Sequence, residues 1–89
     1  MAELTVDVVA ADRQVWTGSA RSVVLPASDG QIGILVGHTP LLALLSAGNV
    51  RVTQADGAAV EIAVSGGFAS VDSDRVTVVA DEAEQPVSA

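Results

Sequence analysis

The fold is decided by residues 29–48, which carry the sequence DGQIGILVGHTPLLALLSAG. This segment contains four glycines, one proline, the only histidine of the chain and its densest aliphatic run. Glycine permits positive φ and close backbone approach, and proline fixes φ and removes a donor. Their spacing among Ile and Leu predicts a packed, shaped segment rather than one regular strand or helix. Because apolar residues in a loop need cover, we expect this segment to be buried partly under its own sheet and partly under a partner protein.

The composition restricts the chain to one small domain. Its 89 residues suffice for a single core that buries about 60–65% of the surface exposed by the unfolded chain. Trp16 and Phe68 are the only aromatic residues, so the core has to be built from Val, Leu, Ile and Ala. Valine fits a pleated surface better than a helix. The composition therefore favours an all-β fold.

Apolar and polar residues alternate with a period of two along most of the chain, which predicts eight to ten short strands separated by turns. The predicted strands are residues 4–10, 15–18, 20–25, 31–36, 50–53, 60–64, 68–71 and 76–80. Residues 41–45 fit either one helical turn or a buried extended run. Pro26 is expected to end the third strand, and Gly33 to mark a bulge or a close backbone approach. This pattern is typical of a β-sandwich or a small barrel.

Local signals add detail to this prediction. Asp56-Gly57 is typical of a two-residue hairpin loop. Arg51 and Glu61, on the two strands that flank this loop, could lie across from each other. Trp16 is expected to cover an edge of the core, given the area that an indole buries. Residues 85–89 follow an acidic stretch without an apolar pattern, so we expect a disordered tail there.

The charge and the rare residue types exclude several function classes. The net charge is −7, with four Arg and no Lys. This charge disfavours nucleic acid and anionic membrane surfaces and suits a basic protein partner. The chain contains no cysteine, which excludes disulfides and thiolate metal sites. No signal peptide or membrane span is evident, so we expect a cytoplasmic protein.

The residues offer little for catalysis. His38 is the only imidazole, and no serine lies in a Gly-x-Ser-x-Gly turn. His38 could be a loop residue bonded to nearby backbone, an interface contact or a catalytic base, and the sequence favours the first. The glycines shape turns rather than cradle phosphate, because no Lys is present. We therefore predict no catalytic residue, no cofactor and no metal site.

Two long motifs stand in order in this chain. The first is Gly30-x-Ile32-Gly33-Ile34, two variable residues, and Gly37-His38-Thr39-Pro40-Leu41-Leu42. The second is Val64-Ser65-Gly66-Gly67-Phe68, followed by Val76-Thr77-Val78-Val79-Ala80-Asp81. Together they resemble the epsilon subunit family of the bacterial F-type ATP synthase, which is called delta in mitochondria. The resemblance extends over about residues 3–84.

This resemblance implies a flattened β-sandwich of about ten strands in residues 1–84. It implies a non-catalytic rotor subunit of the central stalk that docks on the gamma subunit and the c ring and couples proton flow to ATP synthesis. Such a chain would be a peripheral membrane protein on the cytoplasmic side of the bacterial plasma membrane. It would bind no nucleic acid and would touch the membrane only through the complex.

The resemblance also implies two contact sets. The expected gamma interface consists of His38, Thr39, Pro40, Leu41 and Leu42. The expected c-ring interface consists of Asp29, Gly30, Gln31 and Ile32. Gln31 stands where many family members carry an acid that meets basic c-ring loops, and the sequence leaves open whether Gln31 or the neighbouring Asp29 makes that contact.

The sequence departs from the family at its end. Most members continue into a C-terminal helical hairpin that restrains ATP hydrolysis and in some bacteria binds ATP. Here no amphipathic helix follows residues 81–86, so we expect neither this brake nor a nucleotide site on the chain. A natural short form and an excised domain both remain open. Two alternatives to the rotor subunit are a free-standing β-sandwich that binds another protein or a sugar, and a small hydrolase that uses His38.

Overall fold

The computed structural model describes residues 2–11 and 13–88, and within them it contains ten β-strands and no helix. The strands are β1 Leu4–Ala10, β2 Arg13–Ala20, β3 Ser22–Ala27, β4 Gly30–Leu35, β5 Leu41–Leu45, β6 Gly48–Thr53, β7 Ala59–Val64, β8 Gly67–Asp72, β9 Arg75–Ala80 and β10 Val87–Ser88. The all-β prediction is confirmed, and the segment at 41–45 is extended rather than helical. Met1, Asp12 and Ala89, which fall within the predicted domain, the first predicted turn and the predicted tail, lie outside the described residues.

All ten strands belong to one sheet with the order β10-β7-β6-β3-β5-β8-β9-β1-β2, and β4 pairs with β3 beside this path. β1 and β9 are parallel, whereas the other ladders are antiparallel. The sheet curls so that its two halves face each other across one apolar cluster. β5 joins the halves, since it pairs with β8 along its length and with β3 at Ala27 and Leu45.

The alternation in the sequence decides which face of each strand enters the core. In β1, Leu4, Val6 and Val8 are fully buried, and the residues between them face outward. Within the described residues no polar or charged side chain is buried. Trp16 packs partly buried against the core from edge strand β2, over Gly18, as expected for an indole that covers a core edge.

Pro26 does not end β3 as predicted, because the strand continues to Ala27. The carbonyl oxygen of Pro26 accepts a hydrogen bond from the amide of Ser46 at 2.8 Å. The N and C=O of one strand residue point to the same side, so the missing N–H also lies on that side. On that side the β3–β6 ladder has ended at Val24 and β5 ends at Leu45, so Pro26 lies at the ends of both ladders, where a missing donor is tolerated.

Two turn and bulge predictions also need correction. The β3–β4 register is unbroken through Gly33, and no atom lies near enough for that glycine to be required by a close approach. The irregularity in the sheet lies instead between Val8 and Val9 of β1. The β6–β7 loop is longer than two residues, since the amide of Gln54 bonds the carbonyl of Ala58. Gly57 has a φ of 91°, which fits a turn closed by a left-handed glycine.

The C-terminal residues are more ordered than the sequence indicated. Val87 and Ser88, which fall within the tail that was predicted to be disordered, pair with Glu61 and Val60 of β7. Upstream of them, the bridge between Val64 and Ala83 brings the same segment against β7. Without this segment β7 would be an open sheet edge with unpaired backbone groups. The segment pairs with those groups through its own backbone, so its order cannot be predicted from the pattern of apolar side chains.

Candidate protein-interaction surface

The β3–β4 turn and β5 enclose a groove of about 330 Å³. Its lining residues are Ala27, Ser28, Asp29, Ile32, Leu41, Leu42, Ala43 and Leu44. Six of these residues lie within the segment 29–48, and Ala27 and Ser28 directly precede it. The groove is mostly aliphatic, and Asp29 supplies its only ionisable side chain among the described residues.

Backbone hydrogen bonds hold the two sides of the groove together. The amide of Ser28 donates to the carbonyl of Leu44 at 3.0 Å, and the amide of Ser46 donates to the carbonyl of Pro26 at 2.8 Å. The Ser28 and Ser46 hydroxyl groups lie near the same two carbonyls. The turn and β5 are therefore fixed relative to each other before any partner binds.

β5 alternates strictly between the inside and the outside. Leu45 is buried and Leu41 and Ala43 are half-buried, whereas Leu42 and Leu44 are 72% and 71% exposed. A single exposed Leu is common on protein surfaces, but two on one strand beside a groove form a contiguous apolar surface. Such a surface is typical of a protein-protein contact.

His38 lies in a loop that is tied to the β8–β9 turn. The amide of Gly37, which has a φ of 86°, donates to Asp74 Oδ1 at 2.7 Å, and the amide of His38 donates to the Leu35 carbonyl at 3.1 Å. His38 Nδ1 lies 2.7 Å from the carbonyl oxygen of Thr39, so this nitrogen carries the proton. This geometry fits the interpretation of His38 as a loop residue bonded to nearby backbone.

The structure brings part of the two predicted contact sets together. Asp29 and Ile32 of the predicted c-ring set line the same groove as Leu41 and Leu42 of the predicted gamma set. Gly30 and Gln31 are exposed beside them. His38, Thr39 and Pro40 are not among the residues that line the groove and lie in the loop held by Asp74. Both assignments stay predictions.

A second groove was missed by sequence reasoning. It measures about 450 Å³ and lies between the β1–β2 connection, the end of β7 and the segment after β9, lined by Ala10, Ala11, Arg13, Ala63, Val64, Ser65, Asp81, Glu82, Ala83 and Glu84. Two of these lining residues are bonded to each other, since Arg13 Nη2 donates to the carbonyl of Ala83 at 2.8 Å. Within residues 2–11 and 13–88, no three potential metal ligands come together here or elsewhere. The groove depends on the C-terminal pairing with β7, which no sequence signal indicated.

Residues 3–86 match the family model described as the β-sandwich domain of the ATP synthase delta/epsilon chain. The chain belongs to this family. It is 48% identical over 83 residues to the ATP synthase epsilon chain of Micrococcus luteus, covering 93% of this chain and 91% of that relative. It is 51% identical over 82 residues to the epsilon chain of Synechococcus elongatus, where it covers 92% of this chain and 59% of the relative. Membership in this family assigns the chain to a non-catalytic subunit of the ATP synthase complex.

Solved structures share the fold. A chain of the Euglena gracilis mitochondrial ATP synthase, in a structure of OSCP, F1 and the c-ring, superposes with a TM-score of 0.89 at 24% identity, over 97% of this chain and 54% of that chain. A chain of the Tetrahymena thermophila central stalk and c-ring structure matches with a TM-score of 0.71 at 11% identity, over 94% of this chain and 67% of that chain. At these identities the likeness concerns the β-sandwich architecture.

Membrane-spanning helices are not found in the described part of the chain, since no helix there has the necessary length and apolar character.

Proposed function

We propose that this chain is a central-stalk subunit of a proton-translocating F-type ATP synthase, which docks on the gamma subunit and the c ring and helps to couple proton flow to ATP synthesis. The observation that carries the proposal is the groove beside β5, where Leu42 and Leu44 are exposed on a surface fixed by backbone hydrogen bonds. A permanent interface needs such a preformed apolar surface. Because the chain belongs to this family, we look for its partner among the subunits of the ATP synthase complex.

In this proposal gamma contacts His38, Thr39, Pro40, Leu41 and Leu42. Leu42 is the most exposed of the large apolar side chains in the described residues, so its burial would contribute much of the apolar area. The Gly37–Asp74 hydrogen bond holds the His38 loop in place and reduces the entropy lost on binding. The net charge of −7 favours a basic surface on the partner.

The c ring is assigned to Asp29, Gly30, Gln31 and Ile32. Asp29 is exposed at the turn and has no ion-pair partner within the described residues, so its carboxylate is accessible to a basic loop. Gln31 offers a hydrogen bond but no charge. We therefore assign the charged part of this contact to Asp29. In the assembled enzyme the chain would be a peripheral membrane protein on the cytoplasmic side of the bacterial plasma membrane.

The proposed role is assembly and coupling without inhibition of ATP hydrolysis. The described residues contain ten strands joined by turns and no helix, so the role proposed for them rests on the surface of the β-sandwich. Adding the chain to a complex depleted of its epsilon subunit should restore coupling and leave hydrolysis unsuppressed. Suppressed hydrolysis with unchanged coupling would contradict this role.

Binding to purified gamma tests the central claim. Leu42→Ser should weaken binding at least about tenfold, because it removes a central apolar contact. Val87→Ser is the matched control, since Val87 is 64% exposed on β10 at the far edge of the sheet. Equal affinity of the two variants would remove Leu42 from the interface. Absence of gamma binding by the wild-type chain would overturn the proposed function and favour a free-standing binding module.

The c-ring assignment needs a separate measurement on the assembled complex. Asp29→Asn should lower retention of the chain on c-ring-containing complexes, and the loss should shrink as salt rises. Asp56→Asn changes the charge equally in the β6–β7 loop and should have no effect. If Gln31→Ala lowers retention and Asp29→Asn does not, the contact belongs to Gln31.

A further inference from the structure

The chain contains two Asp-Gly dipeptides, Asp29-Gly30 and Asp56-Gly57, and both lie exposed at hairpin turns. Among aspartyl dipeptides Asp-Gly is the most prone to cyclise spontaneously, because glycine has no side chain to shield its amide nitrogen from the aspartyl carboxyl group. A Cβ at either glycine would meet no atom within 4 Å, so the rest of the domain shields neither site. Both dipeptides are therefore sterically open to isoaspartate formation.

The backbone constrains the two sites to a similar degree. The amide of Gly57 donates to the Gln54 carbonyl at 2.9 Å, and Gly30 pairs with Ala27 as the first residue of β4. Both glycines have positive φ, 91° for Gly57 and 122° for Gly30. A difference in reactivity between the sites has to come from the aspartate side chains.

The carboxyl group of Asp56 is held in place, whereas that of Asp29 is not. Asp56 Oδ1 accepts a hydrogen bond of 2.9 Å from the amide of Ala58, and this bond has to break before the carboxyl group can turn to Gly57. Asp29 makes no side-chain hydrogen bond and no ion pair among residues 2–11 and 13–88. Its carboxyl carbon can rotate toward the Gly30 nitrogen without losing a contact.

We propose that Asp29 is a site of spontaneous isoaspartate formation in the folded chain, and that the Ala58 hydrogen bond protects Asp56. The Gly30 nitrogen attacks the side-chain carbonyl carbon of Asp29 and forms a C–N bond, while the amide hydrogen leaves with the hydroxyl of the protonated carboxyl group as water. Water then adds to the Asp29 backbone carbonyl of this cyclic succinimide and breaks its C–N bond. The main chain afterwards runs through the Asp29 side chain. Water is released in the first step and consumed in the second, so no oxidant, reductant or cofactor is needed.

The product alters one side of the groove beside β5. An isoaspartyl linkage adds one carbon to the main chain of the β3–β4 turn and moves the free carboxylate onto the backbone. Asp29 lines the groove together with Leu42 and Leu44, and the amide of the preceding Ser28 bonds the Leu44 carbonyl. The reaction needs only the chain and water, so this inference does not depend on the proposed function.

Ageing of the folded chain tests the inference. The full chain is kept for several weeks at neutral pH in water enriched in heavy oxygen, and its Asp-Gly peptides are then analysed by mass spectrometry. Heavy oxygen enters when a succinimide is hydrolysed, and labelling with an isoaspartyl methyltransferase reports the product. We expect both signals at Asp29. At Asp56 the rate should be about three- to tenfold lower, the factor that corresponds to one exposed hydrogen bond.

Two controls separate the effect of the turn from that of the dipeptide. In urea that unfolds the chain, the two sites should react at nearly equal rates. Asp29→Glu keeps the charge but forms the larger cyclic imide far more slowly, so the signal at residue 29 should be lost while the urea unfolding curve stays that of wild type.

The rates at the two sites decide the outcome. Equal rates in the folded chain, a faster reaction at Asp56, or no reaction at Asp29 would overturn the inference. The same preference for Asp29 in the unfolded chain would overturn it as well, because the flanking sequence and not the hydrogen bond to Asp56 would then set the rates.

Discussion

Arg13 Nη2 donates a hydrogen bond of 2.8 Å to the backbone carbonyl of Ala83, which is 70 residues later in the chain. This contact joins the start of β2 to the segment that follows β9. The same segment is held to β7 from its other side, because the amide of Glu84 bonds the Ala63 carbonyl and the amide of Ser65 bonds the Glu82 carbonyl. Arg13 thus fixes the segment that covers the edge of β7.

Replacing Arg13 by Ala should loosen this edge without unfolding the domain. The exposed hydrogen bond is worth about 0.5–1.5 kcal/mol, which corresponds to faster amide exchange by about two- to tenfold. The amides of Glu84 and Ser65 should report it in hydrogen-deuterium exchange. Arg21→Ala is the control, since the Arg21 side chain makes no hydrogen bond within the described residues. If the amide of Glu84 exchanges at an unchanged rate in the Arg13 variant, the hydrogen bonds to β7 are sufficient to hold the segment in place.

Gly67→Ala should be among the most destabilising single substitutions in the chain. Gly67 has a φ of 132°, and a Cβ there would lie 2.1 Å from the carbonyl oxygen of Val79. Alanine would adopt a strained backbone conformation, and its Cβ would push β9 away. Together these effects should lower the free energy of unfolding by about 2–5 kcal/mol, against a total on the order of 5–13 kcal/mol. Urea denaturation measures the loss.

Gly33→Ala provides the comparison for this prediction. No atom lies within 4 Å of a Cβ at Gly33, and its φ is outside the left-handed range. Alanine should therefore change the stability by less than about 1 kcal/mol, with the reduced entropy of the unfolded chain acting in its favour. Equal destabilisation by both variants would mean that glycine is required at Gly33 for a reason other than space.

Strand alternation predicted most of the sheet, because side chains with period two specify a face without reference to partners. Leu4, Val6 and Val8 illustrate this. Arg51 and Glu61 were expected to face each other across one hairpin and do so, although the two-residue loop predicted there would have paired Arg51 with Ile62. The sequence pattern did not predict which strands that are distant in the chain pair with each other. The parallel ladder of β1 with β9 and the contact of Val87 with Glu61 depend on which backbone groups the finished fold leaves free.

The candidate surface was predictable in part for the same reason. The aliphatic run at 41–45 and the glycines around it identified the segment, but Leu42 and Leu44 could be assigned to the outside only once the run was known to be a strand. Phe68 was noted for its rarity and not as a surface residue. Its position beside Leu44 follows from the register of β5 with β8, which no local signal encodes.

The Arg51–Glu61 pair should contribute little to stability in spite of its short distance. Both side chains are well exposed, so solvent screens the attraction between Arg51 Nη1 and Glu61 Oε2. A double-mutant cycle with Arg51→Ala and Glu61→Ala should give a coupling energy below about 1 kcal/mol that falls further in high salt. A salt-insensitive coupling above this value would indicate that the pair is desolvated by its neighbours.

Asp74 positions the predicted gamma interface without belonging to it. Its Oδ1 accepts the Gly37 amide at 2.7 Å, and its own φ is 61°, a conformation that Asp, Asn and Gly tolerate. Asp74→Gly therefore removes the acceptor without backbone strain at residue 74, whereas Asp74→Asn keeps an oxygen in place. We expect the Gly37 amide to exchange faster in Asp74→Gly and gamma to dissociate several-fold faster from it, because the His38 loop must then be ordered on binding. Asp74→Asn should retain both properties. Faster exchange at Gly37 with unchanged gamma affinity would show that the His38 loop lies outside the contact, and gamma binding would then have to be carried by β5 and the surface around Leu42.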